Sequence, residues 1–263
     1  MSLDLHIFCK STYGEEYSPR CFGEFFTFGS PPSDPTYLDW LLTAWGWTAL
    51  VAALALFIAI LLGIVMGTLR TLPKDSLLDR CIIFLANSWV ELFRNIPVLV
   101  QVFLWYHVIP IFIPALKSFP SYILVSIALG FFTSARIADQ VKSGIFSLPK
   151  GQSYAALSLG MTRLQTYRFV ILPMALRIVV PPLTSEFMNI VKNSSVAFAV
   201  SVSELTLFAM QTQEETSRGI EMYLAVTLLY AISAFTVNRV MAYIEAKTKI
   251  PGFISSANSS GAH

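Results

Sequence analysis

From Trp40 to Leu69 the chain carries no charged side chain. A helix needs about 20 mostly apolar residues to cross the hydrocarbon core of a bilayer, and this run exceeds that length. No water reaches the backbone in lipid, so a spanning segment must satisfy its own amides, which a helix does. Four more regions qualify: within Cys81 to Ile113, Tyr122 to Phe146, Val170 to Val202, and Tyr223 to Ile244. The second is long enough to include an interfacial lead-in helix. Pro110, Pro114 and Pro120 mark the turn after it, and Pro173, Pro181 and Pro182 lie near the start of the fourth. Composition agrees: 55% of the 263 residues are hydrophobic and 13% charged, against about 25% charged in soluble domains. The expected fold class is all-α, a polytopic membrane protein with five transmembrane helices.

Five spans place the two ends on opposite sides. One side receives Arg70, Lys74, Arg80, Lys142, Lys150, Arg163, Arg168, Arg177, Arg239, Lys247 and Lys249, eleven of the 18 basic residues. The other holds Lys10, Arg20, Lys117 and Arg218 among acids such as Glu15, Glu16, Glu24, Asp34 and Asp39. Basic residues collect on the cytoplasmic side of membrane proteins, so the N-terminus is expected outside and the C-terminus inside. Tyr37, Trp40, Trp45 and Trp47 form an aromatic belt at the first span's outer end. The expected organisation is an external segment 1–36, a transmembrane domain 37–250 with a cytoplasmic loop at 150–169, and a cytoplasmic tail 251–263. The N-terminus lacks the basic n-region and apolar h-region of a signal peptide, so the first span is expected to stay.

Several features have ordinary readings. Cys81 sits in an apolar run, where a buried thiol is expected. Cys9 and Cys21 share the polar N-terminal stretch, and a disulfide between them is open only in an oxidising compartment. His6, His107 and His263 have no metal-ligand spacing with the cysteines, and a packed His107 is expected. Gly63 and Gly67 form G-x-x-x-G, which permits close helix packing or a subunit interface. The outer stretch bearing Glu204, Glu214, Glu215 and Glu221 reads as a solvated face or a docking surface. A net charge of +2 gives nucleic-acid binding no support.

The stretch from Gly151 to Pro173 reads GQSYAALSLGMTRLQTYRFVILP. Two short helical stretches meet at Gly160, where positive φ can end the first sharply. Ala155, Ala156 and Leu159 are expected on one narrow face, small enough for a partner to approach closely. A helix lying on the membrane surface is the alternative. The two alanines, the glycine four residues on, and Val170, Leu172 and Pro173 resemble the EAA loop of ABC importer permeases. Tyr154 stands where that motif usually has Glu. Glu91-Leu-Phe-Arg-Asn-Ile-Pro97-Val-Leu-Val-Gln101 resembles the signature of the polar amino-acid subfamily. The run from Val180 to Ser195 is similar to that subfamily's fourth span, most like glutamate/aspartate permeases. The resemblance covers the chain from about Tyr37 to Phe253.

This resemblance implies a type I ABC importer permease fold in a bacterial inner membrane. It implies two ATP-binding subunits, a second permease subunit (identical or paralogous), a periplasmic solute-binding protein and an amino-acid substrate. Gln152, Tyr154, Ala155, Ala156, Leu159 and Gly160 would then contact the ATP-binding subunit. The chain has no phosphate-cradling G-x-x-x-x-G-K-[ST], so no cofactor is expected in it; ATP and Mg belong to the partner.

Charges at membrane depth cost about 2.5–3.5 kcal/mol on insertion scales and face a partner or a pathway. Glu91 with Arg94, and Arg136 with Asp139, have the spacing for bridges within one helix. Lys192 has no acid at that spacing. A dicarboxylic amino acid needs a net positive site, for which Arg94, Arg136 and Lys192 are candidates. Asn193, Ser194 and Ser195 are candidate donors, and Glu186 a candidate for the ammonium. Arg136 stands where the subfamily commonly has Tyr, which suggests selection for a side-chain carboxylate. A permease for another polar amino acid such as glutamine, an ion-coupled carrier and an intramembrane enzyme are the alternatives. The absence of an internal repeat weighs against the carrier.

Overall fold

The computed structural model describes residues 5–10 and 36–248, and apart from an isolated backbone bridge between Lys10 and Thr36 its regular elements are helical. In chain order they are α1 (Tyr37–Leu69), α2 (Leu77–Asn95), α3 (Val98–Phe103), α4 (Ile109–Phe112), α5 (Ser121–Phe146), α6 (Lys150–Ser158), α7 (Arg163–Thr166), α8 (Leu172–Asn193), α9 (Leu205–Thr216) and α10 (Gly219–Thr248). A π-helical turn, Leu104–Val108, joins α3 to α4, and a second, Tyr167–Ile171, joins α7 to α8. Among the described residues four helical stretches are long and apolar enough to cross a membrane: Tyr37–Leu69, Ser121–Phe146, Arg163–Val200 and Gly219–Thr248.

The second expected span departs from a simple helix. The chain turns by 108° between Leu77–Asn95 and Val98–Phe112, so it forms a broken span or a re-entrant loop. Pro97 is the cause. Proline clashes with a helical residue before it, and Ile96 accordingly takes an extended conformation with φ −94° and ψ 132°. Before the break, α2 is amphipathic, with Ile83, Ala86, Val90 and Phe93 buried along one face. Cys81 falls off that face and is a free, exposed thiol rather than a buried one.

The residues form two compact units. The first comprises Met1–Ala55, Val98–Leu129 and Val191–Ala234. Its core gathers Ile7 and Phe8 from a 3₁₀ turn (Leu5–Cys9), Leu41 and Ala44 of α1, Leu205, Phe208 and Ala209 of α9, and Met222 and Val226 of α10. Trp40 meets Phe208 edge-on at 5.3 Å. The amide of Tyr37 donates to the carbonyl of Lys10 at 3.2 Å, tying the turn to the start of α1. Cys9 is disulfide-bonded; Cys21, the partner considered above, lies outside the described residues, as do most of 1–36 and the tail 251–263. His107 packs against the rings of Phe103 and Tyr106.

The acidic stretch from Glu204 to Glu221 is not uniformly solvated. Glu214 and Glu215 are exposed, but Glu204 is fully buried and Glu221 nearly so. Glu204 caps α9: its carboxylate accepts from the amides of Thr206 (2.8 Å) and Leu207 (3.0 Å) and from the hydroxyl of Tyr230 (2.6 Å). Burial pushes its carboxyl above the usual range, with these hydrogen bonds opposing the shift. A raised folded-state value contributes stability that is full below the ordinary carboxylate pKa of about 4.3 and is lost as pH rises through the raised value. Glu204→Gln should therefore flatten the fall in thermal midpoint across that window. Parallel slopes for variant and wild type, followed by fluorescence melts, would contradict this assignment.

The second unit comprises Leu56–Pro97, Gly130–Ile190 and Phe235–His263. Val90 and Phe93 of α2 pack with Ala135 and Ala138 of α5, flanked by Met66, Trp89 and Phe131. Trp89 donates from Nε1 to the hydroxyl of Ser134 at 3.2 Å, which satisfies the indole within this aromatic cluster. The G-x-x-x-G pair packs against α5 of the same chain: a Cβ on Gly63 would lie 2.6 Å from Ile137, and one on Gly67 2.7 Å from Val141.

Candidate functional site

Two groups of residues stand out in the second unit. The first is the hairpin of α6 and α7. Gly160 takes φ +82°, the left-handed conformation that favours glycine. The amide of Met161 bonds to the carbonyl of Ala156 at 3.2 Å, and that of Gly160 to Leu157 at 3.0 Å. This pair is the Schellman closure, which satisfies carbonyls a helix end would leave open. Two residues later Thr162 and Gln165 form a reciprocal capping box that starts α7. The sequence thus stops one helix and starts the next within a few residues.

The exposed face of the hairpin is more apolar than expected. Tyr154 is 65% exposed, Leu159 83% and Leu164 78%. Ala155 is also exposed, but Ala156 is only 4% exposed. The expectation that Ala155, Ala156 and Leu159 share one face is corrected for Ala156. Successive helical residues point about 100° apart, so a face holding Ala155 and Leu159 turns Ala156 inward. Gln152 is half-buried, and its Oε1 has no hydrogen-bond partner among the described residues.

The second group is a set of charges on α1, α2, α5 and α8. The expected bridges within single helices do not form. Asp139 of α5 instead accepts from Arg70 at the end of α1 (2.6 Å) and from Arg94 of α2 (2.8 Å). Arg70 also donates from Nε to Asn87 Oδ1 at 2.8 Å. Arg136 makes a bidentate pair with Glu186 of α8, at 2.7 and 3.1 Å. Gln140 donates to the same carboxylate at 3.1 Å, and its own Oε1 is buried without a partner among the described residues. Glu91 is exposed and has no ion pair among the described residues. Carboxylates held by planar guanidinium forks satisfy both oxygens at once, an arrangement a partner on the same helix cannot match here.

Arg136 and Glu186 cancel. Arg70 and Arg94 against Asp139 leave one positive charge. Lys192 is exposed, has no ion pair among the described residues, and does not share a helix face with Glu186. The serines expected as donors are engaged: Ser194 Oγ donates to the carbonyl of Val191 (2.7 Å) and Ser195 Oγ to that of Lys192 (2.8 Å). A short 3₁₀ helix, Ser194–Val200, brings these carbonyls within reach of the hydroxyls. Asn193 is half-buried at the end of α8. Arg70 and Gln140 were not singled out from sequence. Arg70 ends an apolar run and reads as a flanking charge, and nothing in its spacing points to Asp139.

Charged side chains among long apolar helices are uncommon and face a partner or a pathway. The chain belongs to the family of binding-protein-dependent transport system inner membrane components, whose signature matches residues 59–250. It is similar to the glutamate/aspartate import permease protein GltJ of Escherichia coli K12, with 37% identity over 85% of this chain and 93% of that one. It is 33% identical to the probable glutamine ABC transporter permease protein GlnM of Bacillus subtilis, over 76% of this chain and 89% of that one. A solved amino acid ABC transporter with histidines superposes with a TM-score of 0.69 and 27% identity, over 80% of this chain and 95% of that one. The fold is that of ABC importer permeases, and the family works with ATP-binding and substrate-binding partners.

Proposed function

We propose that this chain is the membrane-spanning permease subunit of an ATP-driven importer for glutamate and aspartate in a bacterial inner membrane. The observation that carries the substrate class is the 37% identity with a glutamate/aspartate permease along 85% of the chain. Two ATP-binding subunits, a second permease subunit and a periplasmic binding protein complete the assembly. The N-terminus lies outside and the C-terminus inside, as the distribution of basic residues requires. Lys142, Arg239 and Lys247 each lie over an aromatic ring of their own helix, Phe146, Phe235 and Tyr243, an arrangement suited to the membrane interface.

The hairpin of α6 and α7 docks on the ATP-binding subunit through Gln152, Tyr154, Ala155, Leu159 and Gly160. Tyr154, where the family's loop usually has Glu, offers an aromatic contact instead. Substrate recognition falls to Arg94, Arg136, Glu186 and Lys192, with Asn193, Ser194 and Ser195 beside them on the chain. Arg136 and Glu186 neutralise each other in this structure. A substrate engages them by exchange: its side-chain carboxylate takes the place of Glu186 on Arg136, and Glu186 receives the ammonium. The exchange pairs the side-chain carboxylate and the ammonium; the substrate's α-carboxylate needs a further cation, for which Arg94 and Lys192 are the candidates.

Arg136→Tyr should lower glutamate uptake in proteoliposomes by about ten- to a hundredfold, the range for leaving a charged group unpaired. Uptake should be driven by ATP in the presence of the ATP-binding subunits and the binding protein. Unchanged glutamate uptake would remove Arg136 from the substrate path. Wild-type uptake of glutamine instead of glutamate or aspartate would favour the reading suggested by the likeness to GlnM.

A further inference from the structure

The chain joins the α6–α7 hairpin to α5 on one side, through residues 147–149, and to α8 on the other, through the π-helical turn Tyr167–Ile171. Two side chains open a further path. Arg163, the first residue of α7, donates from Nη2 to the carboxylate of Asp75 and lies 4.0 Å from that of Asp79 through Nη1. Tyr167 donates its hydroxyl to the carbonyl of Thr71 at 2.8 Å, and the hydroxyl of Thr71 points back at 3.3 Å.

Both targets are helix-end machinery. Thr71 is the second residue beyond α1, at the helix end where carbonyls lack partners within the helix. Its hydroxyl also donates to the carbonyl of Thr68 at 2.7 Å, so Tyr167 sits against the terminal turn of α1. Asp79 belongs to the capping box of α2: it accepts from the amide of Ser76 at 3.2 Å, and its own amide donates to Ser76 Oγ at 3.0 Å. Arg163 therefore grips the start of α2. The neighbouring Arg70 continues the line, because its guanidinium ends on Asp139 of α5.

We propose that Arg163 and Tyr167 strap the hairpin to the turn between α1 and α2, so that a displacement of the hairpin moves α1 and α2 together with its covalent neighbours α5 and α8. Both are positioning residues: they touch neither substrate nor nucleotide and act through the helix ends they hold. The proposal rests on the importer reading above, in which the hairpin receives the ATP-driven movement. The π-helical turn supports it locally. Such turns insert one residue into a helix and are frequent at functional sites, and here the turn begins at Tyr167 itself. The Arg163–Asp75 pair is solvent-exposed, with side chains 57% and 60% accessible. Exposed pairs contribute little to global stability, so their loss should be read in coupling rather than in folding.

The test is uptake per ATP hydrolysed in proteoliposomes holding the full assembly with its ATP-binding subunits and binding protein. Arg163→Glu should lower that ratio roughly fivefold, the lower end of typical couplings between sites, with ligand-stimulated hydrolysis retained. Tyr167→Phe, which removes only the hydroxyl, should lower it in the same direction by less. Asp75→Arg combined with Arg163→Glu should restore the ratio by re-forming the pair with its charges exchanged. A wild-type ratio in both single variants, or no restoration in the exchanged pair, overturns the strap while leaving the importer reading intact. No ATP-linked uptake in the wild type overturns the importer reading, and the strap falls with it.

Discussion

Gly67→Ala should lower the thermal midpoint of the detergent-purified chain, whereas Gly46→Ala on the same helix should raise it slightly. A Cβ at Gly67 would lie 2.7 Å from Val141 Cβ and 2.8 Å from the carbonyl oxygen of Ala138. The carbonyl is backbone and cannot rotate away, so α1 and α5 must separate. Overpacking of this kind costs about 1–3 kcal/mol and occasionally more, which outweighs the roughly 1 kcal/mol that alanine gains over glycine in a helix. At Gly46 a Cβ meets nothing within 4 Å, leaving only the propensity gain. Gly63→Ala should follow Gly67→Ala, since its Cβ would fall 2.6 Å from Ile137 Cγ2. Melts that rank Gly67→Ala with Gly46→Ala would show that the α1–α5 approach is looser than described. A variant that melts normally but loses a concentration-dependent dimer would return the G-x-x-x-G pair to a subunit interface.

Gly160→Asp should leave the chain folded and abolish its communication with the ATP-binding subunit. The backbone there is left-handed, at φ +82°. Such a conformation costs an ordinary residue about 1–2 kcal/mol, and aspartate is among the residues that tolerate it best. A Cβ at Gly160 meets nothing within 4 Å in the chain itself. The obstruction is therefore external: a side chain and a negative charge on the surface that meets the partner. Stimulation of ATP hydrolysis by glutamate or aspartate, with the binding protein present, should fall about tenfold or more, within the range of site-to-site couplings. The thermal midpoint of the isolated chain should change little. Full stimulation in this variant would remove Gly160 from the docking surface. A collapse of the midpoint would instead mean that the Schellman turn holds the hairpin together.

These two glycines also mark how much was legible in advance. The stop at Gly160 is written locally, as a left-handed glycine, and appears where the sequence places it; the capping box of Thr162 and Gln165 that starts α7 is equally local but was not singled out. The break at Pro97 follows from proline's effect on the residue before it, although the 108° turn does not. The bare spacing of Gly63 and Gly67 announces a close approach without naming its partner; only the packed structure points to α5.

The charged residues were legible as a group and not as pairs. Rules of helical spacing join Arg136 to Asp139 and Glu91 to Arg94, because such rules see one helix at a time. The structure joins Asp139 to Arg70 and Arg94, which lie 69 and 45 positions away, and Arg136 to Glu186, 50 positions away. The same limit hid the burial of Glu204, which reads as one more acid in a polar stretch until Tyr230 and the amides of α9 close over it.

The sequence alone determined the helical class, the apolar runs that must meet lipid, the ends of the hairpin helices and the family. Each of these depends on interactions between residues close along the chain, or on the balance of apolar and charged side chains. The tertiary structure decided which charge meets which, which alanine turns inward and which helix receives the glycines. Those outcomes depend on neighbours brought together from distant positions, where a buried charge takes the partner with the best geometry rather than the nearest in sequence.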